Sequence, residues 1–154
     1  MLLETNMFGT IETDGVKKLL FEDGIIGFPD MKNFTLITDA EDAGENKIYG
    51  LQSLDDGTFA MPMVNPFVIF DEYNPVVEDE WFKPLGEHEE EDLIVFLTMA
   101  VPEQIEQMSV NQKAPIIINT RTQKACQIIV EEESYQIHCP IYDLLKAKKE
   151  KAGD

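Results

Sequence analysis

The chain has 154 residues, 44% of them hydrophobic, and its 30 acidic against 12 basic residues give a formal net charge of −18. That length and apolar content suit one domain with a real core and argue against disorder. The charge repels phosphate backbones and anionic lipid, which argues against nucleic acid or membrane as a direct partner and favours a basic protein, although it also serves solubility.

Two cysteines, Cys126 and Cys139, lie in apolar strand-like segments and read as buried thiols rather than a disulfide. The N-terminus lacks the basic-then-apolar pattern of a signal peptide. The longest nearly apolar run, 93–101, is much shorter than the ~20 residues that span a bilayer, so a cytoplasmic protein is expected.

In chain order, period-two alternation predicts strands at 8–12, 16–21, 34–38, 48–54, 58–64, 67–70, 93–99, 116–119, 127–130 and 135–138. Asp-Gly at 14–15, 23–24 and 56–57 can supply the positive φ angles of tight hairpins. Gly24-Ile25-Ile26-Gly27 lacks the lysine and the following helix of a phosphate cradle, and reads as a sharp chain reversal. In 58–64, Phe59, Met61 and Met63 share a face, while Pro62 cannot donate to a ladder and predicts an edge or a bulge. Short helical turns are predicted at 76–85 and 102–108, and a lysine-ended helix or frayed tail at 141–151. The fold class that follows is all-β: a single-domain antiparallel β-barrel-like or sandwich architecture of about ten short strands with one or two short helices. The β domain is placed at 1–145 and a lysine-rich C-terminal tail at 146–154.

Catalytic constellations are weak. His88 sits in the charged run 87–92, which reads as a solvated loop, and His138 alternates with Ile137 in a strand-like segment. Zinc would need His88, Cys126, His138 and Cys139 to converge without a Cys-x-x-Cys pair, and adjacent strand residues point to opposite faces. The carboxylates at 71–72, 78–80 and 87–92 are hard oxygen ligands whose spacing does not match the helix-loop-helix calcium motif. No nucleophile elbow is present. The reading is a non-enzyme with no catalytic residue, cofactor or metal.

Charge is concentrated instead. Residues 71–92 hold ten acidic residues against Lys83, a net −9, half of the chain's charge in a seventh of its length. Tyr73, Trp81 and Phe82 lie among these carboxylates, as in a protein-binding surface where rings supply contact area and acids steer a basic partner. Equally, Trp81 and Phe82 could plug the end of a barrel while the acids face water.

Several short motifs follow one another in an order that resembles the FliW family of bacterial flagellar assembly factors. Phe21-Glu22-Asp23-Gly24-Ile25-Ile26-Gly27-Phe28 is similar to that family's glycine-containing N-terminal loop. Tyr49-Gly50-Leu51-Gln52-Ser53 is similar to its central Leu-Gln-Ser strand. The segment 59–70, with Asn65-Pro66, and Asp71-Glu72-Tyr73 resemble the unit that follows. Ala114-Pro115-Ile116-Ile117-Ile118-Asn119 is similar to the late Ala-Pro-Ile strand, with Gln127 after it. The resemblance runs from about 8 to 141; Gln112-Lys113 and the lysines beyond Leu145 depart from it.

The resemblance implies a protein that acts by binding. Its partners would be newly made flagellin, held as by a cytoplasmic chaperone, and the carbon storage regulator CsrA, a small basic RNA-binding dimer that represses flagellin translation. The two would bind in a mutually exclusive switch that relieves repression once flagellin is exported. An acidic RNA mimic that blocks the regulator's RNA groove directly is the alternative. Partner contacts are expected at Phe28, Gln52, Asp71, Glu72, Tyr73, Glu78, Asp79 and Glu80, the polar or aromatic exceptions in the family-like motifs and the acids after them; equally, Phe28 and Tyr73 could both be core residues.

Overall fold

Among the described residues, apolar runs and short punctuated segments fold into eleven strands. The computed structural model describes residues 2–5, 9–15, 17–38, 48–70, 73, 75, 79–87 and 89–152. β1 (Leu2–Thr5) and β2 (Gly9–Glu12) form a separate antiparallel ribbon. The main sheet contains β3 (Leu19–Phe21), β4 (Asn33–Thr38), β5 (Ile48–Ser53), β6 (Ala60–Val64) and β7 (Leu93–Ala100). It is completed by β8 (Ser109–Val110), β9 (Ile116–Asn119), β10 (Lys124–Gln127) and β11 (Cys139–Pro140).

The order β7-β6-β5-β4-β3-β10-β9 returns to β7 through the Leu93↔Asn119 to Phe96↔Ile116 ladder, which closes a barrel of seven strands. Closure removes the open edges of those strands. The eight-residue β7 changes partners along its length, pairing β9 at Leu93–Phe96, β6 at Leu97 and Thr98, and β8 at Met99 and Ala100. β11 then pairs β8 outside the barrel. Helix is minor: α1 (Tyr142–Ala152) and short 3-10 helices at Thr13–Gly15, Pro66–Val68, Asp79–Leu85, Glu90–Asp92 and Ile105–Gln107. The predicted turns at 76–85 and 102–108 thus contain 3-10 helices, and α1 runs unbroken across 145–146.

Local expectations are corrected at several places. One pairing is parallel, β3 with β10 at Leu20↔Lys124 and Phe21↔Ala125. β6 is not an edge strand: it pairs β5 over its whole length but β7 only at Met63 and Val64. Pro62 is tolerated because it lies outside the β7 ladder, where its missing N–H removes no bond to that strand. None of the Asp-Gly pairs forms a two-residue hairpin. Asp14-Gly15 lies in a 3-10 helix, Asp23-Gly24 in the long β3–β4 connection and Asp56-Gly57 in the six-residue β5–β6 loop. Residues 67–70 are no strand: the Asn65 side chain accepts from Phe67 N at 2.9 Å and Pro66 opens a 3-10 helix. Residues 135–138 are irregular, tied by Gln112 N to Gln136 O at 2.8 Å, and β11 starts only at Cys139.

Three apolar clusters follow. Leu19, Phe21, Phe34, Leu51, Met63, Phe96, Ile116 and Ile118 fill the barrel. Val64, Ile69, Tyr73, Leu97, Met99, Val110 and Ile141 pack between its outer wall and the β8–β11 side. Leu85, Ile117, Cys126 and Ile128, with Phe82 against them, lie beneath the 3-10 helix Asp79–Leu85. Each fully buried Leu or Phe contributes about 1.5–3 kcal/mol, so the third cluster alone fixes the acidic segment's helix to the barrel.

Candidate partner-binding surface

The β3–β4 connection is long but internally bonded. Phe21 N donates to Lys32 O at 2.8 Å, Gly24 N to Phe21 O at 3.0 Å, and Ile25 and Phe28 exchange N–H to O bonds at 3.2 and 2.7 Å. The last pair closes a tight reversal with Gly27 at φ 87° in its third position, a conformation that glycine adopts without strain. The predicted chain reversal at 24–27 is therefore present. From outside the loop, the Gln127 side chain accepts from Ile26 N at 2.9 Å and donates to Ala114 O at 3.1 Å.

Opposite this loop stands the 3-10 helix Asp79–Leu85. Its end is clamped by Asn119, whose amide donates to Leu85 O at 2.9 Å and Glu87 O at 3.1 Å, and by Thr122 Oγ1, which donates to Leu85 O at 2.7 Å. Phe82 turns inward onto Leu85, Ile117 and Cys126, whereas Trp81 remains 45% exposed. The two aromatics thus divide: Phe82 packs against Ile117 and Cys126, on the face of β9 and β10 opposite to the Ile116 and Ile118 that fill the barrel, and Trp81 faces solvent.

Between loop and helix lies a groove of about 310 Å³ lined by Ile25, Ile26, Trp81, Pro84, Cys126 and Ile128 among others, with Asp23 at its rim. Burial, with the nearby Asp23 charge adding to it, pushes the Cys126 thiol up to about 11. Cys126 is therefore a neutral thiol that behaves as a small apolar residue in the floor. Both cysteines are free. A second, more open groove lies away from this one, lined by Val101, Pro102, His138 and Pro140. Among the described residues no cluster of three His, Cys, Asp or Glu side chains suits a metal, and no helix is long and apolar enough to cross a membrane.

The structure separates the residues expected to touch a partner. Phe28 is 50% exposed, its ring set edge-on to Phe59 at 4.9 Å. Glu80 is exposed, and Asp79 opens the 3-10 helix beside Trp81. Asp71, Glu72 and Glu78 lie outside the described residues, as does His88.

Gln52 and Tyr73 are inside the protein, which corrects their placement on a contact surface. Gln52 is fully buried, and its amide donates to Ser53 O at 3.0 Å and Phe59 O at 3.2 Å. Beside it, Ser53 Oγ accepts from Asp55 N at 3.1 Å and Asp56 N at 3.0 Å, so the Gln-Ser pair builds the β5–β6 loop. Tyr73 is 5% exposed, donates to Gln112 O at 2.7 Å and packs on Tyr135 at 5.0 Å. Sequence reasoning missed Ile26 as a wall of the groove, and Gln127 and Asn119 as its clamps. The polar termini of apolar strands were their only signal.

The family model described as FliW protein matches residues 2–141. The chain is 43% identical over 152 residues to the flagellar assembly factor FliW of Lachnoclostridium phytofermentans, covering 97% of both chains. It is 43% identical over 150 residues to that of Lachnospira eligens, covering 97% of this chain and 99% of the relative. A crystal structure of the flagellar assembly factor FliW aligns with a TM-score of 0.81 at 25% identity, covering 91% of this chain and 96% of that one. With the family model matching residues 2–141, relatives 43% identical over nearly the whole length and a shared fold, the chain belongs to the FliW family of flagellar assembly factors.

Proposed function

We propose that this chain works in the cytoplasm by binding alone, holding a CsrA-type translational regulator and newly made flagellin in alternation and catalysing nothing. The single observation that carries the reading is the concentration of charge: a net −9 over 71–92, a segment whose 3-10 helix Asp79–Leu85 packs on the barrel through Phe82 and Leu85. A basic regulator is the partner that such a concentration of charge attracts, and carboxylates next to apolar contact area steer association as well as stabilise it. When flagellin occupies the protein, less of it is free for the regulator; when flagellin leaves, the regulator is captured by mass action and flagellin mRNA is released from repression. The same charge favours a second reading, in which the acidic segment imitates RNA and fills the regulator's RNA groove.

Replacing Glu78, Asp79 and Glu80 together by lysine tests the electrostatic part. Association with the purified regulator, followed by stopped flow, is expected to slow by about tenfold at low salt, with the unfolding midpoint kept. Rates that do not change between low and high ionic strength contradict a docking role for the acids. Adding RNA to the preformed complex separates the readings, since a regulator that still holds RNA is not blocked by a mimic.

A further inference from the structure

Ile26, Phe28 and Trp81 are 45%, 50% and 45% exposed, yet all three sit on backbone that is fixed by hydrogen bonds or by packing. Apolar side chains of this size on rigid supports offer contact area with little ordering cost, which is how anchor sites differ from incidental exposure. Ile26 and Trp81 line the groove, whereas the Phe28 ring lies against Phe59; the groove floor between Ile26 and Trp81 is buried and apolar, formed by Ile25, Cys126 and Ile128. Around it the exposed acids are Asp23 on the rim, Glu22 and Asp30 in the same loop, and Glu80 next to Trp81. Of the lysines on this side, Lys124 is held by Glu22 at 3.2 Å.

We infer that the groove between the Ile25–Phe28 reversal and the 3-10 helix Asp79–Leu85 seats one apolar side chain of a basic protein segment. Lysines or arginines flanking that side chain meet Asp23, Asp30 and Glu80. Charge chooses this occupant. A second copy of the chain would bring −18 against −18, and a nucleic acid would set phosphates against the same carboxylates. The inference rests on the proposal that the protein binds a basic regulator, and it names the place.

Trp81 is the only tryptophan in the chain, so it reports on the groove directly. The protein is labelled with 5-fluorotryptophan and titrated with CsrA-type regulator, with the fluorine resonance, acrylamide quenching and calorimetry read in parallel. Expected are a shifted resonance, quenching reduced about threefold at saturation, and affinity weakened about tenfold or more by Ile26→Lys. Val101→Lys, in the second groove, is expected to leave affinity within about twofold. Ile26 lies at an exposed turn, and an unchanged thermal midpoint establishes that Ile26→Lys folds; Glu80→Lys, outside the apolar wall, is expected to weaken binding in the same direction. Regulator heat with unaltered Trp81 quenching and no effect of Ile26→Lys overturns the groove and leaves the proposed function intact. No regulator heat from the unsubstituted protein overturns both. Protection of Trp81 by flagellin and not by regulator overturns the basic occupant.

Discussion

Replacing Asn119 by alanine should loosen the wall of the groove more than any change to an exposed acid. Asn119 is fully buried, donates to Leu85 O at 2.9 Å and Glu87 O at 3.1 Å, and accepts from Arg121 N at 2.9 Å and more weakly from Thr122 N at 3.4 Å. Three good bonds at about 1 kcal/mol net each give about 3 kcal/mol. The Thr122 hydroxyl still serves Leu85 O at 2.7 Å after the change, which lowers the loss, while a buried N–H left without its acceptor raises it. A loss of about 2–4 kcal/mol brackets these effects and corresponds to a melting shift of roughly 5–15 °C for a domain of this size. Urea unfolding read by Trp81 fluorescence measures it, with the denaturant slope unchanged if only native stability is altered. A loss below about 0.5 kcal/mol, the level of an ordinary surface substitution, would refute the assignment of Asn119 as the clamp.

Tyr73 makes stability fall at alkaline pH. Burial, with Tyr135 and Glu132 adding to it, holds its phenol above the ordinary value of 10.0. The native state therefore keeps a proton that the unfolded chain gives up, and the stabilisation present below about pH 10 is lost as pH rises past it. Tyr73→Phe should cost about 1 kcal/mol near neutrality and fall less steeply between about pH 9 and pH 11; equal alkaline slopes in urea titrations would count against this. Gly24 has φ 73°, and a Cβ there would overlap the Pro29 carbonyl, whereas Gly27 at φ 87° has open space around it. Gly24→Ala is expected to cost about 2 kcal/mol or more and Gly27→Ala about 1, and equal unfolding midpoints for the two would show that the overlap relaxes freely.

Some strands were legible as short continuous apolar runs rather than by alternation: β9 at Ile116–Asn119, buried at every residue, and β7 from Leu93 were placed at their observed starts. The helices were legible from the spacing of Val77, Trp81 and Phe82 in 76–85, from Pro102 ahead of Ile105–Gln107, and from the lysines that end α1. The 67–70 segment misled because its strand-like composition was outweighed by the Asn65 cap and Pro66, a local effect that propensity does not weigh. The parallel β3–β10 pair joins residues about a hundred positions apart, and no periodicity marks such a contact.

Gln52 was read as a surface residue, and Tyr73 stood open between surface and core, because a polar group beside an apolar strand looks the same whether it meets water or a backbone carbonyl. The carbonyls that settle it belong to the β5–β6 loop and to Gln112. Phe28 and Glu80 needed no such distant partner, and both are exposed. The groove itself was not legible, since its two walls come from segments more than fifty residues apart that meet over β10.

The central claim is alternation between two partners. Its most direct test is the regulator's dissociation constant by calorimetry, measured with the protein free and with it saturated by flagellin, and then the flagellin constant with and without regulator. The account predicts weakening by the same factor in both directions, since coupling between two bound partners is reciprocal. A stable ternary complex with undiminished affinity for both would contradict it.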